Sequence, residues 1–92
     1  MYNISYSKQF KKDLKTISKN AKFPVKEFEK ILNQLSNKKT LEAKYKNHKL
    51  KGTYIGCYEC HIKPDILLIY KIKDNKLLLL LLRIGSHSNL FS

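Results

Sequence analysis

Ninety-two residues, 42% of them hydrophobic, can close one core and little more, so the chain is expected to form a single domain over residues 1–92. Nineteen Lys and Arg against seven Asp and Glu leave a formal charge of +12; nucleic acid is the first expected partner, and an acidic protein masking the same surface the second. Residues 1–10 lack the basic stretch and apolar run of a signal peptide, and Leu77–Leu82 is far short of the ~20 apolar residues of a membrane span, so the cytoplasm is the expected compartment, with both cysteines reduced.

In chain order, Tyr2, Ile4 and Tyr6 alternate with Asn3 and Ser5, the period of a strand with one buried face. Ser7 is a candidate N-cap, after which Phe10, Leu14 and Ile17 recur at helical spacing among lysines. Asn20 offers a stop, Pro24 suits the first turn of a second helix, and Val25, Phe28, Ile31, Leu32 and Leu35 form that helix's apolar stripe. Fourteen of the eighteen lysines lie between Lys8 and Lys51, and the one arginine is Arg83. Between Asn37 and Lys51 the periodicity disappears, which predicts an irregular connection or one helical turn.

Tyr58–Ile62, Ile66–Lys73 and Lys76–Ile84 are apolar and parted by Pro64-Asp65 and Asp74-Asn75, the pattern of an antiparallel meander. Leu77–Leu82 has too little length before Gly85 to be a helix and reads as a central strand covered on both faces. The order of elements predicts an α+β fold, two N-terminal helices packed on one antiparallel sheet of about four to five strands.

If Asp74-Asn75 closes a two-residue hairpin, Lys73 faces Lys76 and Ile66 faces Arg83. His61, Asp65, Arg83 and His87 then gather at one end of the sheet, although a slip of one residue would turn every side chain to the other face. Such a cluster holds what RNA cleavage by internal 2′-hydroxyl attack requires: a proton acceptor, a proton donor for the leaving oxygen and cations against the phosphate, with no metal or cofactor. Taken singly, the same residues have ordinary uses. His61 suits a strand surface, Asp65 a turn, Arg83 a charge guarding an apolar strand, and His87 a tail.

Tyr45-Lys46-Asn47-His48, Leu50-Lys51-Gly52, Cys60-His61-Ile62-Lys63-Pro64-Asp65, Leu67-Leu68-Ile69-Tyr70 and Arg83-Ile84-Gly85-Ser86-His87-Ser88-Asn89-Leu90-Phe91 resemble, in order, the signatures of YafQ-type toxins within the RelE-like superfamily. The resemblance implies a bacterial type II toxin–antitoxin system, an endoribonuclease acting without metal on mRNA in the ribosomal A site, and neutralisation by a cognate antitoxin. Carried over by position, it puts His48, His61, Asp65, His87 and Phe91 in the active site, with Arg83 as a phosphate ligand. His87 is expected to protonate the leaving 5′-oxygen and Asp65 or His48 to take the 2′-hydroxyl proton. His61 would orient or stabilise the phosphate, and Phe91 would stack on a base. The chain departs from the family pattern at Cys57-Tyr58, where relatives usually have an aromatic residue followed by Arg, and at Ile66, where they have Trp. Lys51, Lys63 or Lys49 is expected to supply the missing positive charge, as a point charge rather than a fork.

Two non-catalytic readings stand beside this one: a basic nucleic-acid-binding module, and a toxin fold that retains only protein binding. Cys57-Tyr58-Glu59-Cys60-His61 also satisfies the haem-attachment pattern C-x-x-C-H. On an extended strand, however, Cys57 and Cys60 project to opposite faces, which argues against a shared haem or zinc.

Overall fold

Ser7 ends the first strand and begins the first helix. Its hydroxyl accepts from the Phe10 amide at 2.9 Å, the expected N-cap, and donates to the Leu82 carbonyl at 2.9 Å. The computed structural model describes residues 1–91, in which strand β1 (Asn3–Tyr6) leads into helices α1 (Lys8–Ile17) and α2 (Val25–Ser36). A 3-10 turn (Ala43–Tyr45), the short strand β2 (His48–Lys49) and a second 3-10 turn (Gly52–Tyr54) fill the expected irregular region and its continuation. The meander follows as β3 (Tyr58–Lys63), β4 (Ile66–Lys73) and β5 (Leu78–Gly85), and a short helix α3 (His87–Phe91) closes the described chain. Pro24 caps α2 rather than entering its first turn, and α3 has no counterpart in the sequence expectation.

The sheet order is β1-β5-β4-β3-β2, and β1 runs parallel to β5 while every other pair is antiparallel. The expected wholly antiparallel sheet is therefore mixed. Alternation of side chains reveals that β1 is a strand but not which way its neighbour runs; the long connection through both helices lets it return in parallel beside the last strand.

One face of the sheet is covered by the helices. Phe10, wholly buried, packs with Phe28, Ile31 and Leu35 against Cys60, Leu68, Tyr70, Leu79, Leu81 and Ile84. Leu41 and Tyr45 join this core and pin the connection after α2, and the Tyr70 hydroxyl donates to Asn47 Oδ1 at 2.6 Å. The other face holds a smaller cluster, Cys57, Leu67, Ile69 and Leu90, with Leu50, Tyr54 and Leu82 packed against it. This corrects the expectation for the leucine run. Leu79 and Leu81 are fully buried under the helices, while Leu78, Leu80 and Leu82 are only half-buried on a face that α3 covers in part.

The hairpin register is corrected as well. Asp74–Lys76 forms a 3-10 turn and Leu77 adopts the left-handed region at φ 49°, so Lys73 pairs with Leu78, not with Lys76. The turn is wider because the N-terminus holds it: the Tyr2 hydroxyl donates to the Asp74 carboxylate, and the Asn3 amide donates to the Leu77 carbonyl at 2.7 Å. Tyr70 then faces Leu81 but Ile69 faces Arg83, leaving Leu82 as an extra residue in β5. Arg83 accordingly lies opposite Ile69, not Ile66, and Leu67 lies opposite Gly85.

Emptying the main core tests this packing. Phe10→Ala is expected to cost about 3–5 kcal/mol, read as a lower urea midpoint. That is a large share of the ~5–15 kcal/mol typical of a whole domain.

Candidate active site

β2 pairs with β3 so that His48 faces Glu59, and His61 lies two residues further along β3 on the same face. Glu59 is only 5% exposed. A buried carboxylate needs donors, and its Oε1 stands 3.5 Å from His48 Nε2 and 3.3 Å from His61 Nε2. His48 Nδ1 lies 2.7 Å from the Lys46 carbonyl, and Lys46 itself is turned into the left-handed region at φ 48°. Both ring nitrogens of His48 thus have partners, whereas His61 meets Glu59 through Nε2 and among the described residues has no partner at Nδ1.

Two strands away, Arg83 is fixed by Asp13 of α1. Its Nε donates to Asp13 Oδ2 at 2.7 Å, Nη2 to Oδ1 at 3.2 Å, and Nη1 to the Tyr54 hydroxyl at 3.4 Å. The Ile84 amide also donates to Asp13 Oδ2, at 3.2 Å. Partial burial pushes the Asp13 carboxyl up, but hydrogen bonds from Arg83, Gln9 and the Ile84 N–H outweigh it and hold the pKa below its ordinary value. Arg83 responds in the opposite sense, its pKa raised above the ordinary value chiefly by the hydrogen bond to Asp13.

α3 carries the remaining groups. His87 is exposed at its start, with its ring centroid 4.9 Å from that of Phe91, and Phe91 meets Tyr54 edge-on at 5.9 Å. His61, Leu67 and Gly85 form one row across β3, β4 and β5. Two strand spacings, about 9.5 Å, therefore separate the His61 backbone from the segment that enters α3.

The predicted residues fall into three groups. His48 and His61 are joined through Glu59. Asp65 and Arg83 line one cavity of about 480 Å³ with Asp13, Gly85 and Ser86, although Arg83 is already engaged by Asp13. His87 and Phe91 stand together on α3. Lys51 lines a cavity with Tyr54 and Phe91, Lys63 lines another with His61, and Lys49 extends over the Tyr58 ring at 6.0 Å. Sequence reasoning missed Glu59, Asp13 and Tyr54 as site residues. Glu59 was legible as a carboxylate two residues from His61 on one strand face, and Asp13 as the lone acid of a lysine-rich helix; Tyr54 carried no such signal.

Cys57 and Cys60 are free and belong to the two separate cores, as their parity requires. Burial, aided by neighbouring Glu59, pushes the Cys60 thiol up to about 12. Among the described residues no three His, Cys, Asp or Glu side chains are arranged to hold a metal ion, and no described helix is long and apolar enough to cross a membrane.

Fold, charge and the histidine–carboxylate cluster define the class: a small basic α+β domain presenting acid–base groups and an aromatic pair on an incompletely covered sheet face. Its sequence matches, over residues 2–92, the model for the bacterial toxin of type II toxin–antitoxin system, YafQ. It is 38% identical over 89 residues to the mRNA interferase toxin YafQ of Escherichia coli, covering 97% of this chain and 95% of that protein. Among solved structures, a metal-bound toxin from Helicobacter pylori superposes with a TM-score of 0.92 at 47% identity, covering 99% of this chain and 100% of that one. A chain of the Escherichia coli DinJ-YafQ complex superposes with a TM-score of 0.87 at 38% identity, covering 100% of both chains. The chain belongs to the YafQ family of bacterial type II toxins.

The Asp13 site predicts an acid limb of stability. Because the folded pKa is depressed, the stabilisation is present above the unfolded value near 4 and is lost as pH falls through the folded one. Asp13→Asn is expected to cost about 1–2 kcal/mol at neutral pH. In denaturant titrations between pH 2 and 7 it should also flatten the wild type's decline below pH 4.

Proposed function

We propose that this chain is an endoribonuclease that cleaves mRNA in the ribosomal A site, acts in the cytoplasm, and is neutralised by a cognate antitoxin. The family supports the activity and the antitoxin: the similar Escherichia coli protein is named an mRNA interferase, and a related structure is a complex of toxin with antitoxin. The observation that carries the chemistry is the buried Glu59 between His48 and His61, two strands from the end of β5 that leads into α3, where His87 and Phe91 stand together.

In this reading the substrate 2′-oxygen attacks the adjacent phosphorus as its proton passes to a base. The bond from phosphorus to the 5′-oxygen breaks, and that oxygen takes a proton from an acid. The products are a 2′,3′-cyclic phosphate and a free 5′-hydroxyl. His87, exposed and beside an aromatic platform, serves as the acid. The sequence left the base between Asp65 and His48; the geometry favours His61. His61 Nε2 lies 3.3 Å from Glu59 Oε1, so the carboxylate stabilises the imidazolium that forms when Nδ1, which has no partner among the described residues, takes the 2′-hydroxyl proton. His48, with Nδ1 on the Lys46 carbonyl and Nε2 3.5 Å from Glu59, flanks the carboxylate on its other side. Phe91 and Tyr54 offer a stacking surface for a base. Arg83, tied to Asp13, faces the phosphate with only part of its donor fork, and Lys51 and Lys63 supply further charge.

His87→Ala should lower cleavage of ribosome-bound mRNA by about 10²–10⁴-fold while leaving thermal stability near wild type, since the side chain is exposed. Undiminished cleavage would remove His87 from the mechanism. Glu59→Gln should fall by about 10²-fold in the same assay, and growth arrest on expression of the wild type should be relieved by co-expressing the antitoxin.

A further inference from the structure

Beyond the cluster, His61 also lines a cavity of about 310 Å³ set between the 3-10 turn Ala43–Tyr45 and the turn joining β3 to β4. Lys44, Lys46 and Lys63 contribute to its wall, with Pro64 beside them and the buried Tyr45 and Ile62 beneath. That volume is at the small end of ligand sites and on the scale of one nucleotide. Three lysines line it against one acidic residue, Glu27, whose carboxylate accepts from the Tyr45 hydroxyl and offsets at most one of the three charges. Lys46 and Lys63 form no salt bridge among the described residues, and Lys44 reaches Glu42 only at 3.7 Å, a carboxylate that Lys30 holds at 2.9 Å. The cavity therefore keeps unmatched positive charge.

Its position gives that charge a direction. His61 is 26% exposed and belongs both to the Glu59 cluster and to the lining of the cavity. Lys46 links the two, since its carbonyl meets His48 Nδ1 and the same residue lines the cavity. Internal attack starts from the 2′-hydroxyl of the nucleotide 5′ of the broken bond, and the proton is returned to the nucleotide 3′ of it. A base at His61 and an acid at His87 thus lay the RNA with its 5′ side over β3 and its 3′ side toward α3.

We propose that the Lys44, Lys46 and Lys63 cavity is a subsite for the sugar-phosphate on the 5′ side of the cleaved bond. Phe91 and Tyr54 then receive the base on the 3′ side. The subsite fixes which way the strand runs and presents the 2′-hydroxyl to His61. The inference rests on the acid and base assignment above.

The test uses the full chain and trideoxynucleotides, which lack the attacking hydroxyl and so bind without being cut, carrying a terminal phosphate at the 5′ end, at the 3′ end or at neither. The 5′-phosphate should tighten binding about three- to tenfold at low salt and shift the amide resonances of Lys46, Ile62 and Lys63, and the 3′-phosphate should do neither. Lys46→Gln/Lys63→Gln, both on the surface, should lose the 5′ preference while keeping the wild-type melting temperature. Equal gains from both ends, a preference for the 3′ end, or an undiminished 5′ preference in the double variant would each overturn the subsite. Cleavage of ribosome-bound mRNA by the wild type is measured alongside. Intact mRNA there strikes the nuclease reading, whereas cleavage combined with indifference to the 5′-phosphate strikes only the subsite.

Discussion

One extra residue in β5 decides what the open face of this sheet can hold. With Lys73 opposite Leu78, an unbroken ladder would set Arg83 opposite Leu68, on the face that the helices bury. The irregularity between Ile69 and Tyr70 absorbs Leu82 and moves Arg83 opposite Ile69, on the other face, and puts Gly85 in the row of Leu67 and His61. A guanidinium under α1 and α2 would be a buried charge without water; on the open face it meets Asp13 and Tyr54. The same shift sets where α3 leaves the sheet, and hence where His87 and Phe91 stand. Such a bulge re-aims side chains beside a site without altering the strands on either side.

Asp13 and Ser7 explain how the sheet edge tolerates this. β1 stops at Tyr6, level with Leu81, so the outer edge of β5 beyond that point has no strand to pair with. The Ser7 hydroxyl takes up the Leu82 carbonyl, and Asp13 takes up the Ile84 amide together with Arg83. Helix α1 and its cap thus take up two backbone groups that a neighbouring strand would have paired, and the helix's one acid is at once edge cover and support for the arginine.

Charge is distributed in a corresponding way. The carboxylates near the site are already committed: Glu59 to two histidines, Asp13 to Arg83, and Glu27 to Tyr45. The lysines around them largely are not. A phosphodiester approaching the site therefore meets more cations than nearby carboxylates can offset, which raises attraction without a fixed fork. Where the sequence lacks the arginine usual in its relatives, Lys51 and Lys63 flank the site from two different cavities rather than from the missing position.

The helices, the meander and the placing of all three histidines in the C-terminal half were legible from residue order alone. Helical spacing around Phe10 and Phe28, the Ser7 cap, and strand propensity between Pro64-Asp65 and Asp74-Asn75 are local properties, and local physics carried them through. The ordered motifs from Tyr45 to Phe91 were enough to mark the family. Strand direction and side-chain face were settled by packing. The parallel pairing of β1, the turn widened by Tyr2 and Asn3, and the extra residue at Leu82 all depend on partners more than seventy residues away in the chain or across the sheet. Because side chains alternate with a period of two, that single displaced residue separates an arginine buried under the helices from one at the site. Periodicity within one strand carries no record of it.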